Sequence, residues 1–142
     1  MIVLDTNILS ELMRPSPAPK VKQWLLQDVA DETLVTTVIT ISEIEYGLSR
    51  LPDGRKKQDL EERFATLTGP RFNFTILGLD EAAARLAGKM RGLRESNGLN
   101  GQSADMMIAA ITRLAGARLA TRNTKDFTDI GVELINPWNR VN

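Results

Sequence analysis

Neither cysteine nor histidine occurs anywhere in the chain. Without cysteine there is no disulfide framework, no thiolate zinc site and no catalytic thiol. Without histidine, most metal-hydrolase ligand sets and the Ser/His schemes of nucleophilic catalysis fall away together. Any chemistry must be run by carboxylates, hydroxyls, Lys or Arg. Net charge is missing as well, since 18 Lys and Arg balance 18 Asp and Glu. No global field draws such a chain to nucleic acid, so a nucleic-acid contact has to be local or assembled between subunits. There is no run of about 18 apolar residues, which excludes a membrane-spanning helix. No basic segment precedes the first apolar residues, which argues against a secretory leader, and a cytoplasmic location is the expectation that follows. What remains is a chain of 142 residues, 42% hydrophobic and 25% charged. That is ordinary for a soluble globular protein and sufficient for one domain over 1–142 with a core of its own.

The most informative stretch is the first, Met1-Ile2-Val3-Leu4-Asp5-Thr6-Asn7. Three apolar residues followed at once by polar ones predict a short buried strand, because a strand covered on both faces is apolar throughout rather than alternating. Asp5 then stands at the strand's carboxyl end, with Thr6 and Asn7 beside it as supporting polar groups. In open parallel α/β sheets that edge binds ligands, at the point where strand order reverses. A helix is predicted from about Thr6, with Ile8, Leu9 and Leu12 on one face. Asp5 alone has three readings: helix cap, phosphoryl acceptor or metal ligand.

Pro15, Pro17 and Pro19 break the helical pattern, because their missing N–H groups forbid helix there. A short amphipathic segment with Val21, Trp24 and Leu25 resumes from Lys20. A β-branched strand is expected at 33–36, running directly into a helix with Ile41, Ile44 and Leu48 on one face. The cap of that helix decides how Glu43 is read. With Thr40 as cap, Thr-Ile-Ser-Glu is a capping box and Glu43 its reciprocal partner. With Thr37 as cap, Glu43 falls in the second turn, well placed to face Asp5. Pro52-Asp53-Gly54 predicts a turn, and 55–68 a polar helix whose basic start, Arg55-Lys56-Lys57, reads as solvated surface. A third strand is expected at 75–79 and a helix over 81–95 capped by Asp80. Arg85, Arg91 and Arg94 on it read mostly as surface charges, although an arginine facing carboxylates can contact phosphate. Residues 96–101 read as a flexible connection.

Ser103 is a suitable cap for the next helix, which is apolar nearly all round to Ala115 and therefore packed deep inside, with Gly116 as its stop. Asp105 lies in its first turn. Either the helix dipole favours a carboxylate there, or the charge needs a partner such as a cation. A fourth strand at 118–121 ends in Thr121-Arg122-Asn123-Thr124-Lys125-Asp126. This repeats the logic of Asp5, with a hydroxyl, an amide and a carboxylate just past a buried strand, and Asp126 can equally cap a short turn. A last short strand, 132–135, precedes Asn136-Pro137-Trp138.

Asp5, Glu43, Asp105 and Asp126 thus fall at strand ends or helix starts in a β-α-β-α pattern. Carboxylates brought within about 4 to 6 Å repel by several kcal/mol at an intermediate dielectric. A hard divalent cation offsets this, because Mg²⁺ and Mn²⁺ take oxygen ligands through few carboxylates plus water and substrate phosphate. Such an ion, alone or with a second about 4 Å away, supports phosphodiester hydrolysis with no histidine.

Leu-Asp-Thr-Asn at 4–7, Ser-Glu-Ile-Glu-Tyr-Gly at 42–47, Ala-Asp-Met-Met-Ile-Ala-Ala at 104–110, Ala-Thr-Arg-Asn-Thr-Lys-Asp-Phe at 120–127 and Asn-Pro-Trp at 136–138 together resemble PIN-domain proteins. More narrowly, they resemble the VapC/FitB-type toxins of prokaryotic toxin–antitoxin pairs. The resemblance runs over nearly the whole length in the right order. It implies an α/β, PIN-like fold, a twisted, mainly parallel sheet of four to five strands flanked by helices (α/β/α). It also implies a Mg²⁺- or Mn²⁺-dependent endoribonuclease that dimerises and is held inactive by a cognate VapB-like antitoxin. By position Asp5 and Asp105 match the family's principal metal ligands and Glu43 its second acid, with Thr6, Asn7, Ser103, Thr121 and Asn123 as supporting polar groups. The chain departs from the pattern at Asn123, where many members carry Asp. Either Asp126 takes over there or three acids suffice, and one tightly held ion is the expectation.

Two rivals stand beside the nuclease. A receiver domain needs paired acids after its first strand, and a haloacid-dehalogenase-type phosphatase needs Asp at position 7, which here is Asn7. A non-catalytic PIN-like assembly module has only Asn123 in its favour.

Overall fold

The computed structural model describes residues 1–72 and 74–139. Five strands, β1 (Ile2–Leu4), β2 (Leu34–Thr37), β3 (Thr75–Leu77), β4 (Arg118–Ala120) and β5 (Leu134–Ile135), form one sheet in the order β3-β2-β1-β4-β5. Every pairing is parallel, with Ile2 opposite Leu34 on one side of β1 and Arg118 on the other. The helices are α1 (Thr6–Leu12), α2 (Pro19–Gln23), α3 (Val38–Ser49), α4 (Arg55–Leu67), α5 (Glu81–Ser96) and α6 (Ser103–Leu114).

Alternate residues of a strand point to opposite faces, and the two halves of the core follow that rule. Val3, Val35 and Leu119 pack with Ala83, Ala87 and Met90 of α5 and with α6. Ile2, Leu4 and Ala120 pack on the other side with Ile8 and Leu9 of α1, Ile44 and Leu48 of α3, and Phe64 and Leu67 of α4. Ile2, Val3 and Leu4 are wholly buried, each contributing about 1.5 to 3 kcal/mol of hydrophobic stabilisation. The central strand therefore reads as uninterrupted hydrophobicity, and its sheet is covered on both faces. Among the described residues no helix is long and apolar enough to cross a membrane.

The α6 terminus shows how local chemistry sets a boundary. Gly116 adopts φ 64°, its N–H bonds Arg113 O, and the Ala117 N–H bonds Thr112 O, which together make a Schellman stop. Asp80 caps α5 by accepting from Ala83 N at 2.8 Å.

Three expectations shift. Pro19 does not exclude helix but begins α2, at the first position, where its missing N–H has no intrahelical partner to lose. Beyond α2 the chain winds on as a π-turn over Trp24–Asp28. The connection at 96–101 is tied down rather than flexible. Leu99 N donates to Arg94 O at 2.8 Å, and Gly101 lies so close to α5 that an added Cβ would sit 3.2 Å from the Arg91 backbone.

Candidate active site

Strand order reverses at β1, which has β2 on one side and β4 on the other, and a crevice opens at their carboxyl ends. Asp5, the first residue past β1, is only 5% exposed. It caps α1 through Oδ1, which accepts from Thr6 N at 2.8 Å. Its Oδ2 accepts from the buried Thr121 hydroxyl at 2.7 Å and, more weakly, from Asn7 Nδ2 at 3.4 Å. Capping and site-building are thus joint tasks of one carboxylate.

Thr37, not Thr40, caps α3, its hydroxyl accepting from Thr40 N at 3.2 Å. Glu43 is therefore no capping-box partner. It lies in the second turn, where its Oε1 accepts from the Thr6 hydroxyl at 2.6 Å. Thr6 thus joins Asp5 to Glu43, donating its backbone N–H to one and its hydroxyl to the other. Asp105 sits half-buried in the first turn of α6, and no side-chain hydrogen bond engages its carboxylate among the described residues.

Asp5, Glu43 and Asp105 line one hollow of about 460 Å³, together with Thr6, Asn7 and Asn123. Thr121 stands behind it, donating to Asp5 and accepting from Asn123 N at 3.1 Å. Asp126 lies in the 3-10 turn Thr124–Phe127 outside the lining, yet its charge is felt by Asp5 and Asp105. Ser103 is exposed, begins α6 rather than capping it, and accepts from Arg91 Nη1 at 2.8 Å. It takes no part in the hollow's wall.

The electrostatics are those of crowded like charges. Burial first, and then the neighbouring Glu43 and Asp126, push the Asp5 carboxyl up, against the bonds from Thr121 and Thr6. Asp105 is pushed up to about 6, again by burial first and then by Asp5, Asp126 and Glu43, with Arg94 opposing. An all-oxygen donor set carrying this much negative charge fits a hard divalent cation. Among the described residues no three acids are grouped tightly enough to hold an ion by themselves. Such an ion would accordingly rely on two carboxylates with water and substrate phosphate completing its shell, as Mg²⁺ commonly does.

Some contributors escaped the sequence reading. Glu11 looks like an ordinary surface position of α1 but is 6% exposed. Its Oε2 accepts from Ala18 N at 2.9 Å and faces Arg14 Nη1 at 3.1 Å, so it fastens the proline-rich loop beside the hollow. Arg94 belongs to the set read mostly as surface charge, with an arginine facing the carboxylates as the other reading. It is 2% exposed, because its guanidinium donates to the carbonyls of Asn100, Lys125 and Thr128, stitching the segment before α6 to the turn carrying Asp126. Arg14, Arg122 and Trp138 also line the hollow. A rim assembled from separate short segments leaves no periodic signal.

The model of the PIN domain matches residues 2–133 of the chain. Toxin FitB of Neisseria gonorrhoeae is 36% identical over 138 residues, covering 97% of this chain and 99% of that protein. The VapC ribonuclease Y4jK of Sinorhizobium fredii is 33% identical over 138 residues, covering 97% and 98%. Among solved structures, that of FitAB bound to a DNA fragment superposes with a TM-score of 0.86 at 34% identity, covering 100% of this chain and 99% of that one.

Proposed function

The chain belongs to the PIN-domain family, and on that premise we propose that it is the toxin of a VapBC-type toxin–antitoxin pair, an endoribonuclease that hydrolyses RNA phosphodiester bonds with Mg²⁺ or Mn²⁺. Relatives named as a toxin and as a ribonuclease over almost their full lengths support the activity. The observation that carries the site assignment is Asp105, a half-buried carboxylate in one hollow with two others and with no side-chain hydrogen bond to its carboxylate among the described residues. Such a group is at ease only beside a cation.

In this reading Asp5 and Asp105 hold the ion. When bound, it supplies Lewis acidity toward the phosphoryl group and neutralises the carboxylates. Thr121 and the Thr6 backbone fix the Asp5 rotamer, leaving little to reorganise on binding. Glu43 is oriented through Oε1 by the Thr6 hydroxyl, and its Oε2 accepts the proton of the attacking water. Asp126 contributes charge from outside the wall. Asn123 offers an amide where many members of the family have an acid, which favours a single ion. A cognate VapB-like antitoxin and a second copy of the chain complete the assembly in this proposal, in keeping with the two-component FitAB relative.

The test is a pair of near-isosteric variants. Asp5→Asn and Asp105→Asn are expected to lower RNA cleavage by at least about 100-fold, the scale of losing one charge-stabilising group, and to abolish growth inhibition on expression without antitoxin. Wild-type cleavage by either variant would remove the site assignment. Inert wild-type protein that still binds its antitoxin would favour the assembly-module reading.

A further inference from the structure

The acidic hollow has a basic lip. Arg14 and Arg122 both line it, and their charges are used differently. Arg14 lies 3.1 Å from Glu11 Oε2, so its charge is answered within the protein. Arg122 is exposed and forms no ion pair with a carboxylate among the described residues. Its guanidinium carbon instead lies 4.9 Å from the centre of the Trp138 ring, within the range of cation–π attraction. The backbone beneath it is fixed on both sides. Arg122 N donates to Asn7 Oδ1 at 3.2 Å, and Arg122 O accepts from Asn136 Nδ2 at 3.3 Å. Asn136 Oδ1 in turn accepts from Trp138 N at 3.0 Å, so one asparagine ties both partners together. The cation is thus laid over a ring, and its backbone hangs on the same Asn7 that touches Asp5. It has lost much of its rotamer freedom before any ligand arrives, which lowers the ordering cost of binding.

Resting on the nuclease reading above, we propose that Arg122, supported on Trp138, anchors a backbone phosphate of the RNA strand at the mouth of the hollow, with Trp138 as its positioning residue. The chemistry calls for such a group. A polyanion must approach a wall containing Asp5, Glu43 and Asp105, all of its own sign. A divalent ion offsets this at the reacting phosphate, and the next phosphate along needs a cation belonging to the protein. Guanidinium matches phosphate geometry in two-pronged fashion. With a formal net charge of +0, no general field of the protein stands in for it.

The experiment measures binding of a fluorescent single-stranded RNA oligonucleotide to the full chain carrying Asp5→Asn, so that the strand stays uncut, across a series of KCl concentrations. Adding Arg122→Gln is expected to weaken binding about tenfold. It should also make the slope of log affinity against log salt shallower by about 0.7, the value for one phosphate contact on a single strand. Arg122→Lys should restore the slope with part of the affinity. Trp138→Leu should reproduce both losses and Trp138→Phe, which keeps a ring face, should reverse them, a pattern that general loosening of the fold does not give. In the otherwise native chain, Arg122→Gln should raise KM for RNA cleavage more than it lowers kcat. Unchanged affinity and salt slope in Arg122→Gln would overturn the anchor, and parental values in Trp138→Leu would overturn the positioning role. Failure of the wild-type chain to cut RNA would instead refute the nuclease reading, which the binding slopes do not depend on.

Discussion

Asp105 is ionised at neutral pH against the preference of its surroundings, and that gives it a signature. Its carboxyl is pushed up to about 6 from an ordinary 3.8, so the folded chain holds the proton more tightly than the unfolded chain does. In the ion-free protein the full cost of ionisation is present above pH about 6. As pH falls through that value the folded chain takes up a proton first and stability rises, and the gain is complete below 3.8. Thermal melts of ion-free wild type and Asp105→Asn at pH 7.5 and 5, values of roughly this window, test the sign. Wild type should gain more, or lose less, on acidification than the variant, and the variant should be the more stable at the higher pH. An identical pH response in the two would contradict the assignment. On the proposed function, divalent-ion binding should run the other way and weaken as Asp105 protonates. The sequence announced Asp5, Glu43 and Asp105 because each interrupts or follows an apolar run. It did not announce Glu11 or Arg94, whose burial comes from loops folding over them and not from their own neighbours in sequence.

Elements were legible where the local pattern and the tertiary demand agree. Strand β1 was evident because a doubly covered strand is apolar throughout, and α6 because a greasy helix ending in glycine has few other uses. Strands β3, β4 and β5 are shorter than the 75–79, 118–121 and 132–135 expected, whereas β2 lies one residue later than 33–36 and ends at Thr37, because the ladder and not side-chain propensity sets where a strand stops. The α3 cap shows where sequence alone is undecided, as Thr37 and Thr40 both suit the role. Which one serves depends on where β2 stops, and that is set by its pairing with β1 and β3. Because Thr37 fixes the start of α3, it also fixes the reach of Glu43. Thr37→Ala should cost about 1 kcal/mol of stability by removing the capping acceptor and should lower RNA cleavage through displacement of Glu43. Thr37→Ser, which keeps the hydroxyl, should restore both in urea denaturation and cleavage assays. Cleavage lost in the serine variant as well would show that the methyl packing of Thr37, and not its cap, matters.

In the molecule as a whole, residues 5, 43 and 105 meet because a parallel sheet gathers the carboxyl ends of its strands on one edge and its order reverses beside β1. The apolar layers on both faces hold that edge together against the repulsion it contains, so the charge that weakens the ion-free fold is, on the proposed function, the charge that serves the reaction, a common opposition between stability and activity. Asp5, Glu43 and Asp105 were readable from their places at strand ends and helix starts, whereas Asp126, read the same way, lies outside the hollow's lining. The lip formed by Arg14, Arg122 and Trp138 was not readable, because Arg14 and Arg122 come from two loops and Trp138 from a 3-10 turn, Pro137–Asn139, with no shared period. The most direct measurement is RNA cleavage by chelator-stripped full-length protein titrated with Mg²⁺. Cleavage should be absent before addition, rise saturably in wild type, and stay absent in Asp105→Asn at the same ion concentrations. A stripped chain that cuts RNA at full rate, or an Asp105→Asn chain that Mg²⁺ restores to the wild-type rate, would show that the acidic hollow does not work by holding an ion.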